Sequence, residues 1–136
     1  MKLFAIFLFA THMVFELAFG ASAILSGASS SQSAEQIALQ PIQLTIAFRF
    51  MGSALIALGV LAAVVLFGSG VGSSTARFVA IGFATFHGLG TLGSLWTAAP
   101  TFEVYAEPLA LGAVTLHGLL AIGFLILVAF QKPQLA

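Results

Sequence analysis

The chain has 136 residues, 60% hydrophobic and 6% charged, with four Lys or Arg against four Glu, no Asp and no Cys. Soluble domains carry about 25% charged residues, so this composition cannot cover a water-facing surface, and lipid must be the main solvent. The balanced, sparse charge leaves no basic patch for nucleic acid, and the lack of cysteine removes disulfides, thiolate nucleophiles and Cys-ligated zinc or iron–sulfur clusters.

Four apolar runs are long enough to span a bilayer, which takes about 20 residues: residues 3–25, 42–67, 76–96 and 109–130. The first resembles a secretory signal, with Lys2 before the run and Ala21-Ser22-Ala23 after it. The run is long for a signal core and carries His12 and Glu16, so it reads as a first transmembrane helix. Between the first two runs, Ser33-Ala-Glu35-Gln36 has the pattern of a capped short helix leading to Pro41. Gly68–Gly72 reads as a turn, after which Ser73, Ser74 or Thr75 can cap the third helix. Pro100 closes that helix and Glu107-Pro108 opens the fourth.

Lys2, Arg77 and Lys132 flank one side of the predicted membrane, whereas Glu35, Glu103 and Glu107 lie in the other loops. The positive-inside rule then predicts both termini in the cytoplasm, with Trp96 and Tyr105 at the outer interface. The expected fold is all-α: a single transmembrane domain over residues 1–136, an integral membrane four-helix bundle of the bacterial inner membrane. Its expected partners are lipid and other membrane subunits or a second copy.

One pattern occurs twice. Residues 82–95 and 112–125 share seven of fourteen positions, including Gly-x-x-Thr-x-His-Gly-Leu. His87 and His117 both lie near the middle of apolar runs, where an unpartnered imidazole is costly. At 1.5 Å rise per residue each is about 15 Å deep, and the two can face each other across antiparallel helices. The surrounding Gly82, Gly88, Gly90, Gly93, Gly112, Gly118 and Gly123 admit two explanations. They make room for a haem or other tetrapyrrole ligated by the two histidines, or they let helices approach closely while the histidines hydrogen-bond across the interface. Packing is the commoner cause.

His12 and Glu16 are four residues apart, on one helix face. Counting from the helix ends puts Arg49 at the depth of Glu16 and predicts an ion pair, so His12, Glu16 and Arg49 form an expected buried polar cluster. Its alternative use is a site for a quinone headgroup, a metal or a proton. His12, Glu16, His87 and His117 together offer nitrogen and oxygen ligands suited to zinc, copper or iron, although no local spacing supports such a site, so none is assigned as a metal ligand. No catalytic motif is present: there is no GxSxG, phosphate-binding loop, HExxH or paired aspartate.

The stretch Arg49-Phe-Met-Gly52-Ser-Ala-Leu55-Ile-Ala-Leu58-Gly59-Val-Leu61, with the following turn, Arg77 and Phe86-His87, resembles the small four-helix membrane proteins of the DoxX-like group. The resemblance covers residues 45–95 and implies a four-helix fold and little about activity. Small size, scant extramembrane mass and the lack of a catalytic motif point first to a non-catalytic accessory subunit of a larger membrane complex, respiratory or photosynthetic in type. The alternatives are a tetrapyrrole- or quinone-binding redox protein using His87 and His117, and a small proton-coupled transporter.

Overall fold

The first helix, α1 (Lys2–Ser26), ends where Gly27 takes up left-handed backbone at φ 63° and its N–H donates to the Ala23 carbonyl. The computed structural model describes residues 1–29, 32–98 and 108–130, side chains at 97, 98 and 109 excepted. The short α2 (Ala34–Leu39) forms because Ser33 and Gln36 build the expected capping box: the Gln36 N–H donates to Ser33 Oγ and the Ser33 N–H donates to Gln36 Oε1. After Pro41 comes α3 (Ile42–Val64), whose final turn widens into a π-helix at Val65–Ser69. Gly70, at φ 81°, reverses the chain. Ser73 caps α4 (Ser74–Ala98) by accepting the Ala76 N–H, and α5 (Pro108–Phe130) opens on its proline. Of these helices, α1, α3 with its π turn, α4 and α5 are long and apolar enough to cross a membrane. Pro100, Glu103, Tyr105, Glu107 and Lys132 lie outside the described residues. Trp96 is highly exposed.

The helices pair as α1 with α3 and α4 with α5, and the two pairs meet in a bundle. In lipid, burial of apolar surface gives little drive for helix association, so close backbone approach and dispersion must supply it. The α1–α3 contact does this with facing glycines. A Cβ added at Gly52 would stand 2.7 Å from the Gly20 carbonyl oxygen, and one at Gly20 would stand 2.8 Å from the Gly52 oxygen. Gly59 sits equally close to Leu17, and Gly123 of α5 takes the Leu8 side chain.

The repeat glycines contribute less to packing than their positions suggest. An added Cβ at Gly82, Gly88, Gly93 or Gly112 meets nothing within 4 Å, and at Gly90 or Gly118 only ordinary contacts. Where the pairs meet, Phe9, Phe83 and Phe124 form a fully buried aromatic triangle, with ring centroids 5.2–5.9 Å apart. Ala80, Leu120, Leu127 and Val65 complete this core. The triangle closes one end of the space between the pairs and leaves the other end free to hold a site.

Candidate functional site

Three helices bring all three histidines together directly above the aromatic triangle. His12 on α1 and His87 on α4 are fully buried. His12 Nδ1 lies 2.8 Å from His87 Nε2, and His87 Nδ1 lies 2.7 Å from His117 Nδ1 on α5. The rings form one hydrogen-bonded chain with His87 at its centre. Phe83 lies against the His12 ring at 3.8 Å between centroids, and Phe124 stacks parallel to His87 at 6.3 Å. The Thr91 hydroxyl donates to the His87 backbone carbonyl one turn on, a common way for a membrane helix to satisfy a threonine.

Each imidazole–imidazole bond needs one N–H and one bare nitrogen, so the chain has a polarity. In one polarity His12 Nδ1–H donates to His87 and His87 Nδ1–H donates to His117. In the other, His117 donates to His87, His87 Nε2–H donates to His12, and the remaining His12 proton is on Nε2. That buried Nε2 makes no hydrogen bond among the described residues, and the Leu58 backbone is close enough to the His12 ring to act on it as an acceptor. An acceptor near the ring favours an N–H over a lone pair on the otherwise unpartnered nitrogen, so the second polarity is favoured.

Glu16 stands one turn from His12. Its Oε1 is 3.7 Å from His12 Nδ1 and 3.8 Å from His87 Nε2. The residue is 4% exposed, and among the described residues its carboxylate makes no hydrogen bond. It lines a cleft of about 350 Å³ between the helix pairs. The walls are mostly apolar, from Phe15, Phe19, Leu55, Phe86, Leu116 and Leu120, while Glu16, His87 and His117, with Ser22 and Ser29, supply polar groups.

Arg49 does not join this cluster. It is exposed, and its Nε lies 3.4 Å from where a Gly27 Cβ would be, at the far end of α1. The depth count goes astray because the α2 segment lets α3 begin beyond the end of α1. Gly20 therefore faces Gly52, and Arg49 is level with Gly27, about 16 Å along the helix from Glu16 at 1.5 Å per residue. At that level the guanidinium meets the partial negative charge of the α1 C-terminus. Arg49→Met is expected to change unfolding free energy by less than about 1 kcal/mol, measured by reversible unfolding in a bilayer mimetic. A loss above about 2 kcal/mol would restore a buried ionic role for it.

His87 and His117 face each other as the repeat implies, but their rings touch directly. Two axial nitrogens on one iron stand about 4 Å apart with the macrocycle between them, and a 2.7 Å contact leaves no such gap. The metal-ligand reading gains what the sequence lacked, since the fold brings His12, Glu16 and His87 within 4.8 Å of one another. The position of His12 against His87 had no sequence signal, because 75 residues separate the two.

Comparison with protein-family models, with curated proteins and with solved structures found no match. The DoxX-like resemblance of residues 45–95 accordingly enters only as a proposal.

Proposed function

We propose that this chain is an integral membrane protein that binds a lipophilic small molecule with a hydrogen-bonding head, of the quinone or quinol class, in the cleft between its helix pairs. The observation that carries this is a mostly apolar cleft lined by Glu16, whose carboxylate makes no hydrogen bond among the described residues, and by the imidazoles of His87 and His117. Its volume falls in the ordinary 300–1,000 Å³ range of small-molecule sites, and that combination of apolar wall and few polar anchors is their usual chemistry. In the favoured polarity the bare His117 Nε2 and the Glu16 carboxylate can accept the hydroxyls of a quinol, and in the other polarity His117 Nε2–H can donate to a quinone carbonyl. The ring and tail suit the Phe15, Phe19 and Phe86 walls. Flanking Lys2, Arg77 and Lys132 support cytoplasmic termini in a bacterial inner membrane, and a DoxX-like relationship would fit the four-helix form.

The test is titration of the full chain in nanodiscs with a short-chain benzoquinone and its quinol, followed by calorimetry. Saturable binding is expected. Ala113→Phe, which puts a ring into the cleft from an exposed position, should weaken it at least tenfold, about 1.4 kcal/mol. Absence of saturable binding by the folded wild type, or equal affinity in Ala113→Phe, would sink the assignment.

A second reading is supported by the glycines of the repeat. Among the described residues, nothing lies within 4 Å of a Cβ added at Gly82, Gly88 or Gly112, so a helix of another subunit can approach closely there, as an accessory subunit of a larger membrane complex would require. If so, the protein gently extracted from its membrane will migrate with a larger assembly, and Gly88→Leu will release it. A lone chain in native extracts would remove this reading.

A further inference from the structure

The Glu16 oxygen and the two nitrogens nearest it form a triangle with sides of 2.8, 3.7 and 3.8 Å. The point in their plane equidistant from all three is about 2.0 Å from each, which is the length of zinc–imidazole and zinc–carboxylate bonds. The geometry points to a site for a first-row divalent transition metal, held by His12 Nδ1, His87 Nε2 and Glu16 Oε1 with a further position open to the cleft. This site goes beyond the cleft ligand proposed above and does not rest on it.

Four features converge on the assignment. Glu16 is almost fully buried, faces the cleft and makes no hydrogen bond among the described residues. A carboxylate so placed needs a cation or a donor, because a bare charge within a membrane-length apolar helix is costly. A dication answers both needs. Second, His87 has the outer group that a metal-bound imidazole requires. A ligating histidine donates its other N–H to an acceptor that fixes the ring. His87, bound through Nε2, has His117 Nδ1 as acceptor for its Nδ1–H, while His12, bound through Nδ1, keeps a buried Nε2–H that makes no hydrogen bond among the described residues. Third, the ligand atoms need little translation, with both rings turning so that their lone pairs leave the N···N line and meet the ion. A tetrahedral site has ligand–ligand edges of about 3.3 Å, so the imidazole pair opens, and the carboxylate closes, by about half an ångström. Protons also balance: relative to the favoured metal-free polarity, His87 and His117 exchange tautomers and the three imidazoles together neither gain nor lose one. Fourth, the donor set restricts the metal. Two imidazoles and one carboxylate disfavour magnesium and calcium, and the lack of thiolate disfavours copper(I), leaving divalent ions such as zinc, iron(II), copper(II) or nickel(II). His117 is thus a positioning residue behind His87 and not a ligand.

The chain's three histidines are all in this cluster, and it has no cysteine. Protein purified on a histidine-free tag therefore has no competing imidazole or thiolate. The full chain in nanodiscs, stripped with chelator, is titrated with Co²⁺ and then Zn²⁺. One equivalent of Co²⁺ is expected to give the intense visible bands of a tetrahedral nitrogen–oxygen site, which Zn²⁺ abolishes. His12→Ala should lower affinity more than about 100-fold, and so should Glu16→Gln, which keeps the side-chain shape and guards against misfolding. His117→Ala should lower it about 10–100-fold without changing stoichiometry, as loss of an outer partner does. Arg49→Met should bind like wild type.

Two results would overturn the assignment: no saturable uptake of either ion below about 100 μM by wild type with native helicity, or equal uptake by Glu16→Gln. Quinone binding is measured separately on metal-free protein, so loss of one activity with retention of the other identifies which proposal has failed.

Discussion

Gly52→Val is expected to cost about 3 kcal/mol or more and to part α1 from α3, whereas Gly88→Ala should be neutral or slightly stabilising. At Gly52 the first added carbon stands 2.7 Å from a backbone oxygen of Gly20 and 3.0 Å from the Ile24 nitrogen. Neither can turn aside as a side chain would. Ordinary contact begins at 3.4 Å, so the helices must separate by about 0.7 Å at this level. A gap of that size forfeits a quarter to a half of each dispersion contact along the seam, and in lipid the lost apolar contact is not recovered elsewhere. Overpacking of this kind costs about 1–3 kcal/mol even in yielding cores, and valine's second methyl places it at the top of that range or above. Gly88 has nothing within 4 Å of its added carbon, and alanine is the better helix former by up to about 1 kcal/mol. Both variants are compared with wild type by reversible unfolding in a bilayer mimetic. Equal effects of the two substitutions would mean that the glycine seam does not hold α1 to α3.

The reach of the sequence is instructive at particular residues. Hydropathy alone marks the membrane-length helices, because lipid requires each to be continuously apolar and internally hydrogen-bonded. Ser33 with Gln36 and Ser73 are legible as caps because capping is local chemistry. Matching depth brings out His87 and His117, since one short connection makes α4 and α5 neighbours. Depth fails for Arg49 because the intervening α2 segment changes where α3 starts relative to α1. It also cannot give azimuth, which decides that His12 turns toward His87 and that Gly88 faces outward. Gly20 and Gly52, where the α1 and α3 backbones come face to face, carry no mark that separates them from the repeat glycines. The histidine cluster depends on which helices pair and how each is rotated, and both are settled by packing across long sequence separations.

His87 is the residue on which that cluster turns, and His87→Leu is expected to destabilise the chain by about 2–4 kcal/mol. Both of its ring nitrogens are engaged, with His12 at 2.8 Å and His117 at 2.7 Å. Removing the ring leaves two former partners. His12 suffers more, because it is fully buried, its Nε2 already lacks a good partner, and the aromatic triangle shuts out water. A buried polar group left without its bond costs about 1–3 kcal/mol, while hydrogen bonds between membrane helices average less, about 0.6 and at most about 1.7. His117 borders the cleft and can find water or ligand, so it contributes at the low end. The double variant His12→Leu/His87→Leu should therefore cost less than the sum of the single ones, by about 1 kcal/mol, because it removes both ends of the buried bond instead of orphaning one. Nitrogen NMR on histidine-labelled protein gives a second readout. His117 in the His87→Leu variant should lose the shift of a hydrogen-bonded Nδ1, while the Arg49→Met spectrum should match wild type. Additive losses and an unchanged His117 signal would show that the three rings do not act as one chain.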